Sequence, residues 1–258
     1  MRADSLSVYE SPFFRIKTGA ISPFVLVVGD PFRTELVAKF CDDSKEVSWN
    51  REYRVINAVY KGVSITICSH GVGGPGAAIC FEELIKLGAK AIIRLGTSGS
   101  LQPDRISTGD LVVSVGAGSE DGCMKYYVPK TFPAVSDPEI ALLLKQTASK
   151  IEGCRVFSGI TLTNALFHSG PGLLINDHLK KHADSGCLAV EMEVSALFIV
   201  ASVRGVRAGA IHVVDGSPFN WEKEGYDPHA HKVEKGKRAM FVTGLETITS
   251  IANTFESS

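Results

Sequence analysis

Three groups of side chains in this 258-residue chain are placed where they can do chemistry. The first is cationic. Gly29-Asp30-Pro31-Phe32-Arg33 follows an apolar run, and Arg94 lies in Ala91-Ile92-Ile93-Arg94-Leu95, ahead of Gly96-Thr97-Ser98-Gly99. A bare glycine amide, two guanidiniums and two hydroxyls suit a phosphate, because arginine presents a planar fork of donors. Taken singly, an arginine is more often a surface residue. Arg94 differs, since a charge inside an apolar strand demands a partner. The second group is Val190-Glu191-Met192-Glu193, two carboxylates around a methionine where a strand meets a helix. Carboxylates there accept hydrogen bonds from sugar hydroxyls, and methionine packs on an apolar sugar face. A charged helix start favoured by the dipole accounts for the same residues equally well. The third is Asp215, closing the apolar run Ile211 to Val214 before Gly216. Burial beside such a run raises a carboxyl pKa and fits it for general-acid work, although Asp-Gly also ends many ordinary strands.

These residues need elements to hold them. Short apolar, β-branched runs predict strands at Phe24 to Val28, Arg54 to Tyr60, Val63 to Ser69, Ala91 to Leu95, Asp110 to Val115, Val156 to Leu162 and Gly209 to Val214. The second and third flank Lys61-Gly62 and read as a hairpin. Helical stretches are expected over Phe32 to Phe40, Gly76 to Leu87 with Gly88 as its stop, Pro138 to Lys150 and Met192 to Val203, with a last helix after a loop reaching about Lys232. Strands alternating with helices imply an α/β fold with a parallel or mixed sheet. No repeat, low-complexity tract or linker divides the chain, so residues 1–258 are expected to form a single domain.

Composition narrows the function. Lys and Arg total 27 against 28 Asp and Glu, so no basic field points to nucleic acid or a membrane surface. The six cysteines are scattered without a Cys-x-x-Cys pair. The N-terminus lacks the apolar segment of a secretory signal, and no apolar run reaches the roughly 20 residues needed to span a bilayer. A cytoplasmic protein is expected. Gly71-Val72-Gly73-Gly74-Pro75-Gly76 fits G-x-G-x-x-G, but it stands after earlier strands, and the next strand carries Arg94 in place of the ribose-binding acid. A crowded turn into a helix is the better account.

Six motifs then occur together in one order: Gly29-Asp30-Pro31-x-Arg33, Asn50-Arg51-Glu52-Tyr53, Ser69-His70-Gly71-Val72-Gly73, Ile92-Ile93-Arg94-x-Gly96-Thr97, Val190-Glu191-Met192-Glu193 and Val214-Asp215-Gly216-Ser217-Pro218. In this the chain resembles the hexameric-type nucleoside phosphorylases, and among them the purine nucleoside phosphorylases of protozoan parasites, over roughly Pro23 to Tyr226. The resemblance implies a single α/β domain with a twisted, partly closed mixed sheet surrounded by helices. It implies reversible phosphorolysis of a purine (deoxy)ribonucleoside, with inorganic phosphate as co-substrate and no other cofactor. Phosphate would be held by Gly29, Arg33, Arg94 and Thr97. Arg51 would reach into the neighbouring subunit of a homo-oligomer, expected as a hexamer built as a trimer of dimers. Met192 and Glu193 would bind ribose, and Asp215 would protonate the purine at N7. Phe167 would stack on the base, and Trp221 would lie in the loop over it.

Uridine phosphorylases share Arg-x-Gly-Thr-Ser-Gly but read uracil through a glutamine and an arginine in the segment after the aromatic. Here that segment is Phe167-His168-Ser169-Gly170-Pro171-Gly172 and contains neither. Relatives also supply an N-terminal histidine to the neighbour's ribose 5′-hydroxyl. The first histidine here is His70, and Phe13 stands at that position, which implies a more apolar 5′ pocket. Competing readings are a uridine phosphorylase, a nucleosidase of the same superfamily using water, and a non-catalytic nucleoside-binding protein. The arginines argue against the nucleosidase, which has no phosphate to hold. His178-x-x-x-His182 has helical i,i+4 spacing and His229-Ala230-His231 lies in a loop, but neither shows a third ligand at a suggestive spacing. No metal site is therefore expected, and His70 reads as a structural strand-end residue.

Overall fold

The apolar run Phe24–Val28 is buried along its whole length, as a strand covered on both faces requires. In the computed structural model, which describes residues 8–168, 175–221 and 225–256, this run is β1. The chain continues through α1 (Pro31–Ala38), β2 (Asp43–Asn50), β3 (Tyr53–Tyr60), β4 (Val63–Ser69), α2 (Gly74–Leu87), β5 (Ala91–Ser100), β6 (Leu111–Glu120) and β7 (Ala134–Val135). Then come α3 (Pro138–Ala148), β8 (Val156–Asn164), α4 (Ile175–Asp184), β9 (Ala189–Glu191), α5 (Val194–Arg204), β10 (Arg207–Gly216) and α6 (His231–Glu256).

The described strands join one mixed sheet. Side chains alternate across it, as the strand period requires. Leu26 and Ile93 face a core completed by Val37 of α1, Leu144 of α3 and Leu245 of α6. Val25 and Ile92 face the other core, against Phe81 of α2 and Phe198 of α5. By the same alternation Arg94 falls on the α2 and α5 side.

The sheet closes on itself over half its extent. β5 runs parallel to β10, β10 pairs antiparallel with β6, β6 parallel with β8, β8 parallel with β9, and β9 returns to β5. The rest is an open limb, β1, β4, β3 and β2. The two parts share one edge of β5. Its ladder with β1 ends at Arg94, and its ladder with β9 begins at Gly99. This fork, where neighbouring strands diverge, is a place where open α/β sheets bind ligands.

The structure adds β2, β7 and α4 to the elements expected from sequence and lengthens several strands. β2 has a polar, largely exposed pattern, Asp43–Asn50, because it is the outer strand of the limb; an edge strand needs no apolar alternation. Gly96-Thr97-Ser98-Gly99, which follows the strand expected to end at Leu95, continues β5 to Ser100. Gly96 is what lets the strand run through this crowded point. A Cβ there would lie 2.5 Å from His212 and 3.0 Å from the Arg94 guanidinium.

Candidate active site

The fork collects the polar residues. Asp30 caps α1 by accepting the Phe32 N–H at 2.9 Å, and Pro31 starts the helix, which places Arg33 in the first turn beside the end of β1. His70 and Gly71 follow β4, which pairs with β1 up to Ser69. The glycine run is the crowded turn into a helix expected from sequence, since a Cβ on Gly71 would lie 2.8 Å from Glu52, and it also reaches the site. Gly73, at φ 91°, donates its N–H to the Glu193 carboxylate at 2.6 Å, while Pro75 and the following residues form the first turn of α2.

The two carboxylates of Val190-Glu191-Met192-Glu193 have separate tasks. Glu191 accepts the N–H groups of Glu193 and Val194 at 2.7 and 2.9 Å, and the Thr163 hydroxyl at 2.6 Å. It is the helix-start carboxylate for α5. Glu193 instead turns to Arg94, whose Nη2 donates to it at 2.5 Å. Burial pushes the Glu193 carboxyl above the ordinary range, against the pull of Arg94.

Arg94 is buried, 4% exposed, and its partners are mostly fixed. Nη2 reaches Glu191 at 3.3 Å as well as Glu193, and Nη1 donates to His70 Nε2 at 2.7 Å. Its Nε is buried without a partner among the described residues. The acceptor role of Nε2 sets the His70 tautomer, because Nδ1–H then donates to the Gly71 carbonyl at 2.8 Å. Burial, and then the Arg94 charge, lower the His70 pKa well below the usual histidine value, so the imidazole is neutral and can accept. His70, a structural strand-end residue by its sequence context, fulfils that role by holding a site arginine directly. The only sequence signal was its position after a strand and before the glycines. His212, pressed against Gly96, is also held neutral, its pKa lowered by burial and then by Arg94.

Arg33 is half-buried and has no ion pair or side-chain hydrogen bond among the described residues. Burial and then repulsion from Arg94 lower its pKa, with Asp30 and Asp215 pulling the other way. Two close guanidiniums, one of them without a counter-ion, favour an anion between them. Gly29 adds a side-chain-free approach to this corner: its Cβ position is 3.8 Å from the His70 ring.

Asp215 stands at the far side of the fork. β10 sets Val213 opposite Thr97 and Val214 opposite Ser98, which brings Asp215 beside the β5 hydroxyls. It is buried, and burial raises its pKa to about 6, while the Tyr226 and Thr97 hydroxyls and Arg33 oppose the rise. Tyr226 donates to Asp215 Oδ2 at 2.9 Å, a partner that sequence reading did not identify. Beside Asp215 lies a cavity of about 110 Å³ lined by Ser98, Phe167, Leu179, Met192, Glu193 and Trp221, among others. Phe167 and Trp221 stack across it with ring centroids 5.2 Å apart and planes at 29°, and Tyr226 packs on both. Gly216 admits the indole, since a Cβ there would lie 2.6 Å from Trp221 Nε1. Residues 169–172 of the base-reading segment lie outside the described residues.

Arg51 stands apart. It is exposed at the turn between β2 and β3, with φ 57°, and its side chain has no hydrogen bond or ion pair among the described residues. Phe13 lies at the same corner: its carbonyl accepts from Asn50 Nδ2 at 2.7 Å, and its ring meets Tyr53 edge-on at 6.2 Å.

An anion corner, a fixed carboxylate and a buried acid beside an aromatic cavity agree with the comparisons. The phosphorylase superfamily profile matches residues 23–242, and the chain belongs to that family. Within it the chain is a nucleoside phosphorylase, a pentosyl-transferring enzyme. It is 38% identical to a purine nucleoside phosphorylase of Plasmodium vivax over 234 residues, 91% of this chain and 94% of that one. The structure of purine nucleoside phosphorylase from Toxoplasma gondii in complex with immucillin-H superposes with a TM-score of 0.90 at 36% identity, covering 95% of this chain and 97% of that one. A uridine phosphorylase from Vibrio fischeri superposes with a TM-score of 0.85 at 30% identity, covering 93% of this chain and 97% of that one.

Proposed function

We propose that the chain is a purine nucleoside phosphorylase. The observation that carries this reading is Asp215, a buried carboxyl with its pKa raised to about 6, facing an aromatic cavity across the fork from Arg33 and Arg94. A carboxyl with a pKa of about 6 keeps a protonated fraction near neutrality that it can give to N7 of a departing purine. A pyrimidine has no N7 to receive it.

In this reading phosphate binds between Arg33 and Arg94, with Gly29 and Thr97 completing the corner. The ribose lies over Met192, with its hydroxyls on Glu193, and the base enters between Phe167 and Trp221. The cavity of about 110 Å³ is smaller than the roughly 300 Å³ at which ligand pockets begin, so these rings separate to admit the base. As the glycosidic bond breaks, Asp215 protonates the base while positive charge grows on the ribose. Phosphate stabilises that charge and attacks C1′, forming ribose 1-phosphate. Catalysis rests on positioning and charge complementarity.

Exposed Arg51 and half-buried Phe13 share one corner, which supports a homo-oligomer in which both serve a neighbouring site. The hexamer expected from the family pattern is the assembly we propose, checked by sedimentation velocity. With Phe13 in place of histidine, the 5′ pocket tolerates 5′-deoxy or 5′-alkylthio groups. Comparable kcat/KM for inosine and 5′-methylthioinosine is the expected result, and a strong preference for inosine would refute it. All six cysteines are free thiols, which supports the cytoplasmic placement we propose.

The direct test incubates purified protein with inosine or uridine, with and without phosphate. Phosphate-dependent release of hypoxanthine and ribose 1-phosphate, with uridine a poor substrate, is expected. Preferential cleavage of uridine would make it a uridine phosphorylase. Free ribose formed without phosphate would make it a nucleosidase, and no turnover would favour a binding protein.

A further inference from the structure

We propose that Glu120, His178 and His182 bind a divalent transition-metal ion of the zinc class and so clamp α4 to the end of β6. The two histidines lie one helical turn apart on α4 and share a face, with ring centroids 4.5 Å apart. The third ligand, invisible at any sequence spacing, comes from the last residue of β6. One potential ligand atom from each of the three residues lies within 4.8 Å of the other two. Coordination at zinc-type bond lengths of about 2.0–2.2 Å would require these atoms to draw closer together around the ion.

The surroundings suit a metal ligand set. His182 Nδ1 donates to the His178 carbonyl at 3.0 Å, which fixes the tautomer and leaves Nε2 to coordinate, the outer-shell arrangement typical of metal-binding histidines. The His178 ring nitrogens and the Glu120 carboxylate have no hydrogen-bond or ion-pair partner among the described residues. Both histidines are half-buried and Glu120 is exposed, so an ion has access from solvent. Two imidazoles with one carboxylate select zinc-like ions over magnesium or calcium, which take oxygen ligands. Three protein ligands leave a coordination position for water. The clamp would bear on the nucleoside site, because Leu179, next to His178, lines the cavity beside Asp215.

The test uses the full chain, stripped with EDTA and desalted, titrated with zinc chloride by calorimetry and with cobalt chloride by visible absorption. One equivalent of zinc per chain, a cobalt ligand-field band and a zinc-dependent rise in Tm are expected. His178→Ala, His182→Ala and Glu120→Gln should each weaken zinc at least about tenfold, the loss already seen when only outer-shell partners are removed. A His229→Ala, His231→Ala double variant should bind as the wild type does. Circular dichroism checks the fold, and exposed Glu120 provides a variant that leaves the helix untouched. Absence of saturable binding, or unchanged affinity in His178→Ala and Glu120→Gln, would overturn the proposal.

Discussion

The acceptor that His70 offers to Arg94 is a single nitrogen lone pair, available only while the ring is neutral. Replacing His70 with Phe leaves Nη1 of a buried guanidinium unpaired. A hydrogen bond to a charged group is worth about 1.5–3 kcal/mol, so kcat/KM for phosphate should fall roughly 10- to 100-fold. His70→Gln, whose amide oxygen can accept, should recover part of the loss, with the change mainly in the phosphate KM. Equal damage from both variants would mean that the ring only fills space. Asp215 is the second residue on which the chemistry turns. Asp215→Asn should lower kcat by about 10²- to 10⁴-fold, the usual worth of a general acid. The wild-type kcat/KM is expected to fall as pH rises through the region near 6, and Asp215→Asn should abolish that fall.

At the scale of elements, β5 does most of the positioning, because it serves both parts of the sheet. Its route past His212 depends on Gly96, where a Cβ would meet the His212 ring at 2.5 Å and the Arg94 guanidinium at 3.0 Å. His212 is packed in the barrel half of the sheet and Arg94 is tied to Glu193, so neither can step aside freely. Gly96→Ala should cost about 1–3 kcal/mol in stability, as overpacking does, and raise the phosphate KM. Thermal unfolding and initial rates over a phosphate series check both. A variant with wild-type stability and KM would show that the close contact relaxes without moving the arginine. α5 contributes through its first turn, where Glu191 takes the backbone N–H groups and frees Glu193 to face the ribose side.

For the whole molecule, the site's titratable groups link function to stability. Asp215 has a folded pKa near 6 against an ordinary 3.8, so the native state prefers the protonated acid. That preference costs nothing below about pH 3.8 and grows as pH rises to 6, reaching about 3 kcal/mol above it. Asp215→Asn should therefore be more stable than the wild type at pH 7.5, by several degrees in Tm, with the difference vanishing towards pH 4. His70 and His212 act in the opposite direction. Both are neutral in the native state with lowered pKa values, so their contribution is complete above about 6.5 and is lost as acidification drives protons onto the unfolded chain. In Asp215→Asn this acid loss should stand alone, giving a steeper fall in Tm below pH 6.5 than in the wild type. A flat profile there would mean that the two rings are hydrated.

Local chemistry made much of this readable in advance. The apolar runs of β1, β4 and β5 mark buried strands because the strand period is short and burial on both faces leaves no polar positions. Arg94, Glu193 and Asp215 stand out because charges at the ends of such runs need a use. The order of six motifs was enough to indicate the family. Partnership over long separations was decided only by the fold. His70 and Arg94 are 24 residues apart, Gly73 and Glu193 120 apart, and Glu120 and His178 share no spacing that marks them as neighbours. β2 escaped notice because an edge strand carries no apolar alternation, and the closure of the sheet is a property of strand pairing that no single segment contains. A sequence records what each residue is able to do. Which residues do it together depends on which strand ends converge, and that is settled by packing across the whole chain.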